Sequence, residues 1–185
     1  KKTGRLVALL QGSKGVLAVD PKSGSELWNF EKGSSTMSST TKVGDVFLVP
    51  SRGLTALKAG KEGFPPKAIW SSNQLSPSTI TPMAIGDKVF SVNNAGILNC
   101  GDIATGKRLW QLRLKGKFSA SPIAAGKYLY VVNEKGLAQV VDTEAEEGEV
   151  VSSLDLDDVV IGTPSIANGA FYVRSDATLW KLSGS

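Results

Sequence analysis

Three independent markers recur along this chain at one interval, and that interval limits the fold more than any other feature. Tryptophans stand at positions 28, 70 and 110, spacings of 42 and 40. Thr81-Pro82, Ser121-Pro122 and Thr163-Pro164 recur at 40 and 42, and Ser39-Thr40 holds the corresponding place one unit earlier. Short turn pairs follow at Gly44-Asp45, Gly86-Asp87, Gly126-Lys127 and Asn168-Gly169. A shared period near 41 residues is the mark of a stacked array, in which each unit buries its apolar face against its neighbours.

Inside a unit the pattern is all strand. Val46-Phe47-Leu48-Val49, Val89-Phe90-Ser91-Val92, Tyr128-Leu129-Tyr130-Val131-Val132 and Phe171-Tyr172-Val173 are short β-branched and aromatic runs. Each of the first three is followed by a polar turn ending in glycine (Arg52-Gly53, Ala95-Gly96, Lys135-Gly136), where positive φ is expected. No segment carries a capped 3.6-residue apolar period, so no helix is expected. Four short antiparallel strands in about 40 residues make one β-propeller blade. With strands named A to D from the inside out, Ser/Thr-Pro falls at A, the Val-Phe-Leu-Val runs at B, the post-glycine runs at C and the tryptophans at D. The chain then opens on a strand B (Arg5 to Leu10) and closes on a strand C (Leu179 to Leu182), a slice of about four and a half blades. The blade parts are 1–36, 37–78, 79–118, 119–160 and 161–185.

Two units hold a sharper signature. Ala18-Val19-Asp20-Pro21-Lys22-Ser23-Gly24-Ser25-Glu26-Leu27-Trp28 and Cys100-Gly101-Asp102-Ile103-Ala104-Thr105-Gly106-Lys107-Arg108-Leu109-Trp110 keep Asp, Gly and Trp in register. This reads as a C–D hairpin in which the carboxylate accepts turn N–H groups, glycine takes the left-handed position and tryptophan lies flat on the neighbouring blade. The second unit has Lys58 in place of Asp and an insertion, Gly60 to Lys67, before Trp70. The fourth keeps Asp142, stretches its turn through Glu144-Ala145-Glu146-Glu147-Gly148 and brings Val151 to the expected tryptophan place.

The signature resembles the tryptophan-docking motif of pyrroloquinoline-quinone (PQQ) type propeller repeats, and the resemblance covers essentially the whole chain. The closing stretch from Ser121-Pro122 to Leu182 is similar to the C-terminal blades of bacterial PQQ-like proteins such as the propeller lipoprotein family of outer-membrane assembly. The resemblance implies the C-terminal part of a seven- or eight-bladed ring, a periplasmic or extracellular location and a scaffold that binds proteins. It also admits two other functions, a ligand-sensing ectodomain of a larger receptor and a fragment of a PQQ-dependent dehydrogenase. Such dehydrogenases close a full ring around the quinone and use a Ca²⁺ ion, an Asp base and often adjacent cysteines. Here there is one cysteine, Cys100, and no histidine. No enzyme activity, cofactor, metal or catalytic residue is therefore expected.

Charge narrows the partners. Residues 1–141 carry 19 Lys/Arg against 8 Asp/Glu, net +11, whereas 142–185 carry 2 against 9, net −7. The basic residues are scattered singly rather than interleaved with aromatics, so nucleic acid is not an expected partner. The acidic cluster from Asp142 to Asp158 lacks the spacing of an EF-type loop and reads as solvated surface. No run approaches the roughly 18 apolar residues of a membrane span. The apolar stretch Leu6 to Leu10 is too short for a signal-peptide core. Asp20, Gly24, Trp28, Trp70, Asp102, Gly106 and Trp110 are expected to be structural. The irregular insertion with Lys61, Phe64, Pro65 and Pro66 is the expected interaction loop, since protruding loops on a rigid frame suit binding. Open blade edges are expected to self-associate or to pair with missing blades.

Overall fold

In the computed structural model, residues 6–60 and 65–183 are described, and among them every regular element is a strand. Blade 1 is β1 (Ala8–Gly12), β2 (Gly15–Val19) and β3 (Glu26–Phe30). Blade 2 is β4 (Thr41–Val43), β5 (Val46–Pro50), β6 (Leu54–Lys58) and β7 (Lys67–Ser72). Blade 3 is β8 (Met83–Ile85), β9 (Lys88–Val92), β10 (Ile97–Asp102) and β11 (Arg108–Arg113). Blade 4 is β12 (Ile123–Ala125), β13 (Tyr128–Val132), β14 (Leu137–Asp142) and β15 (Glu149–Asp155). Blade 5 is β16 (Ser165–Ala167), β17 (Ala170–Arg174) and β18 (Leu179–Ser183). Strands follow one another in each sheet in chain order, all antiparallel, giving B-C-D, three complete blades and A-B-C.

The core lies between blades rather than within them. One cluster joins blades 1 and 2 (Val16 with Val49 and Leu57) and a second joins 2 and 3 (Leu48 and Leu54 with Val89 and Ile103). The largest joins 3 and 4 (Phe90, Leu98 and Trp110 with Leu129 and Val141). A smaller one joins 4 and 5 (Val132 and Ala138 with Val173). Blades 2, 3 and 4 are therefore apolar on both faces, the condition for stacking blades radially.

The Ser/Thr-Pro dipeptides precede the A strands rather than lying in them, and their hydroxyls latch one blade to the next. The Ser39 N–H donates to Thr81 Oγ1 (3.0 Å), Thr81 N–H to Ser121 Oγ (3.1 Å) and Ser121 N–H to Thr163 Oγ1 (3.1 Å). Proline has no N–H and holds the preceding residue extended, so that residue's N–H and hydroxyl are free to bond sideways.

One turn differs from expectation. Gly96 and Gly136 take positive φ (82° and 89°), but Gly53 does not. A Cβ there would stand 2.4 Å from the Ser72 carbonyl oxygen, so glycine is needed for close backbone approach instead.

Candidate functional site

The joints determine how stiffly any binding surface is held. In each of blades 1 to 4 the C–D pairing slips at a bulge in the same place: Ala18/Val19, Ala56/Leu57, Cys100/Gly101 and Val140/Val141. A bulge bends the outer strand and re-aims its side chains. The residues it aims are Trp28 opposite Ala18, Trp70 opposite Ala56 and Trp110 opposite Cys100. In blade 4 the residue opposite Val140 is Ser152. The tryptophan place there is thus Ser152 and not Val151, because the stretched turn hides one residue of the bulge.

Each docked ring has a seat. Trp70 lies on Gly106 of the next blade, where a Cβ would be 2.4 Å from the ring, and its indole N–H donates to the Ile103 carbonyl (2.8 Å). Trp110 lies on Gly148 in the same way and meets Phe90 at a centroid distance of 5.8 Å. Trp28 is half-buried and meets Phe47 of blade 2 at 6.1 Å. The Asp20 and Asp102 turns are near copies. Asp20 Oδ1 accepts from the Lys22 N–H (2.9 Å), and Asp102 Oδ1 accepts from the N–H and hydroxyl of Thr105 (2.7 and 2.6 Å). Gly24 and Gly106 sit at φ 70° and 71°. The hydrogen bonds from Thr105, its hydroxyl foremost, hold the Asp102 carboxyl below its ordinary pKa. These turns serve the frame. Lys58, which replaces the Asp in blade 2, lies 3.7 Å from Asp45 on the surface.

Of the expected interaction loop, Pro65 is exposed and Pro66 buried, while Lys61 and Phe64 lie outside the described residues. That loop joins β6 to β7, on the face carrying the A–B and C–D turns. The opposite face, carrying the B–C turns and the D-to-A links, holds a broad open bowl of about 840 Å³ between blades 1 and 2. Ser34, Ser35, Ser51, Thr55 and Ser71 give it hydroxyls, and Lys32 and Arg52 give it positive charge with no carboxylate in the lining. Its walls are fixed: Ser34 Oγ donates to the Gly12 carbonyl (2.7 Å), and Gln11 Nε2 donates to the Ser35 and Ser38 carbonyls (2.8 and 2.7 Å). Met37, 72% exposed, stands on the rim. Sequence reasoning missed this surface. Its only signal was the hydroxyl-rich run Ser34 to Thr41 between two strands.

Cys100 is fully buried, and that burial raises its thiol pKa from 9.0 to about 11. At pH 8 a thiol reagent is expected to leave the folded chain untouched and to label it once urea unfolds it. Labelling of the folded chain at the unfolded rate would contradict the burial. The unfolded chain releases the proton first, so this group leaves stability unchanged below pH 9.0 and lowers it as pH rises towards 11. Among the described residues no three His, Cys, Asp or Glu side chains gather in metal-binding geometry, and no helix is long and apolar enough to cross a membrane.

Antiparallel four-stranded blades, bulged outer strands and glycine-seated tryptophans define a propeller of PQQ-like repeats. Residues 94–185 match the family described as outer membrane protein assembly factor BamB, so this part of the chain belongs to the PQQ-like propeller family. The fold is similar to the crystal structure of BamB from Moraxella catarrhalis, with TM-score 0.68 and 20% identity over 91% of this chain. It is also similar to the computationally designed Ika8 protein, with TM-score 0.73 and 13% identity over 98% of this chain. This chain spans 57% of the length of each of those two proteins. Curated protein sequences give no match.

Proposed function

We propose that the chain is a non-catalytic propeller scaffold that binds protein partners in a bacterial envelope or extracellular setting. The observation that carries this reading is the rigid, hydroxyl-rich and cationic bowl on the face of the B–C turns. Fixed walls whose hydroxyls are held in place by internal hydrogen bonds favour recognition of an extended segment, and the Lys32 and Arg52 charges favour an acidic one. The match to a family described as an outer membrane protein assembly factor supports the envelope setting. One sequence feature and one structural feature support a non-catalytic role: the chain has no histidine, and its one thiol is buried and held protonated.

Site-specific photocrosslinking tests the surface. A photoreactive residue at Met37, on the bowl rim, is expected to give discrete protein adducts in Gram-negative cells exporting the chain, and one at Glu146, on the other face, is not. The double variant Lys32→Glu, Arg52→Glu should lose the Met37 adducts. Adducts from Glu146 alone would move the binding surface to the opposite face. Dye-linked alcohol oxidation with added PQQ and Ca²⁺ should stay at the no-protein control, and clear turnover would reassign the chain to the dehydrogenases.

A further inference from the structure

The bowl opens where one side chain is short. In β6 and β14, the residue before the one at the bulge turns its side chain to the preceding blade, because its neighbours on either side face the next one. In blade 4 that residue is Gln139, which ties down the link from blade 3: its Oε1 accepts from the Lys115 N–H (3.1 Å) and its Nε2 donates to the Lys115 carbonyl (3.3 Å). In blade 2 it is Thr55, which ends short of the link from blade 1 and bonds within its own blade instead. The Thr55 hydroxyl lies 3.2 Å from Ser51 Oγ and 2.9 Å from Ser71 Oγ, and all three line the bowl. We infer that this row of three hydroxyls, beside Arg52, binds a carboxylate of the partner, with Ser51 donating to the ligand and Thr55 holding the row in order. The inference rests on the scaffold reading of the bowl and names the chemistry that the bowl recognises.

A hydroxyl has one proton to give and two lone pairs to receive with. Three hydroxyls joined by two bonds therefore keep one spare proton at one end of the row and bare lone pairs at the other, and turning all three rotors exchanges the ends. An anion at Ser51 fixes the direction: Ser71 donates to Thr55, Thr55 to Ser51 and Ser51 to the carboxylate. Bonds aligned in this way polarise one another, and the last, an O–H···O⁻ bond, is about twice as strong as a neutral one. Thr55 is 8% exposed, so the middle of the row is shielded from competing water. Arg52 follows Ser51 directly and brings a planar fork that suits two carboxylate oxygens, while Lys32 adds charge from the link of blade 1. With no carboxylate in the lining, a cationic segment finds no counter-charge there.

The test uses the whole chain and two probes. Acetyl-hexaglutamate amide has carboxylates on its side chains alone, and acetyl-hexaalanine with a free C-terminus has one terminal carboxylate. Saturable shifts of the Ser51, Thr55 and Ser71 amide resonances are expected with at least one of them, and the tighter binder identifies the source of the carboxylate. Hexalysine amide should give none. Thr55→Val keeps the shape and removes the middle hydroxyl, so binding should weaken roughly tenfold, and Thr55→Ser, which keeps a hydroxyl, should recover it. If Thr55→Val does not fold, Ser71→Ala shortens the row from an exposed position and should weaken binding roughly threefold. No saturable shift with either probe, or equal shifts with hexalysine, would overturn the inference. So would a folded Thr55→Val, or in its place Ser71→Ala, that binds as tightly as the parent, since charge alone would then account for binding. Crosslinks from Met37 in cells would survive each of these failures, whereas their loss beside an intact titration would count against the scaffold reading only.

Discussion

Trp110→Ala is expected to destabilise the chain by about 3–5 kcal/mol, the range for removing a large aromatic from a packed core. The ring is 8% exposed and sits in the largest cluster, against Phe90, Leu98, Cys100 and Val141. Its removal also uncovers the Gly148 turn on which it rests. The surrounding strands belong to two hydrogen-bonded sheets and cannot collapse into the space without breaking register, so relaxation offsets little of the loss. Urea unfolding measures it as a lower midpoint at unchanged slope. Trp28→Ala should cost less, because that ring is already half-exposed. A loss below about 1 kcal/mol for Trp110→Ala would place that joint among ordinary surface contacts.

A matched glycine pair gives the second large effect. Gly24 and Gly106 have the same φ within a degree and occupy equivalent turns, but a Cβ on Gly24 meets nothing within 4 Å, while one on Gly106 reaches the Trp70 ring at 2.4 Å. The left-handed conformation costs alanine about 1–2 kcal/mol at either place. Gly106→Ala must also displace the indole and break its hydrogen bond to the Ile103 carbonyl, for roughly 2–4 kcal/mol in all. Equilibrium unfolding of the two variants isolates the difference, and tryptophan emission should shift to the red only for Gly106→Ala. Equal losses would mean that the seat beneath Trp70 contributes nothing.

The blade architecture was legible because its markers are chemically constrained. Proline before an inner strand, a left-handed glycine in a tight turn and a tryptophan on an outer strand each admit few replacements, so they keep their spacing. Other features were hidden for identifiable reasons. Ser152 was read one residue early because a bulge adds a residue to one strand without a side-chain signature, and the longer turn of blade 4 masked the count. Gly53 looked like the other turn glycines, yet backbone crowding by Ser72 determines it, and crowding depends on a strand many residues later. The bowl draws on the links before and after blade 2 and on two B–C turns, so no single stretch of sequence displays it.

The relay of hydroxyls running from Ser39 to Thr163 makes the array resemble a bound book. The relay is the stitching along the spine, and the docked tryptophans are paste between the outer margins of the leaves. The stitching joins leaves 2 to 5, and the tryptophans of the outer strands paste leaves 1 to 4. The last leaf keeps its stitch from Ser121 to Thr163 and is pasted from its own side by Trp180, against Val132 and Ala138. Every joint thus carries an indole, and the joints from leaf 2 to leaf 5 carry the stitch as well.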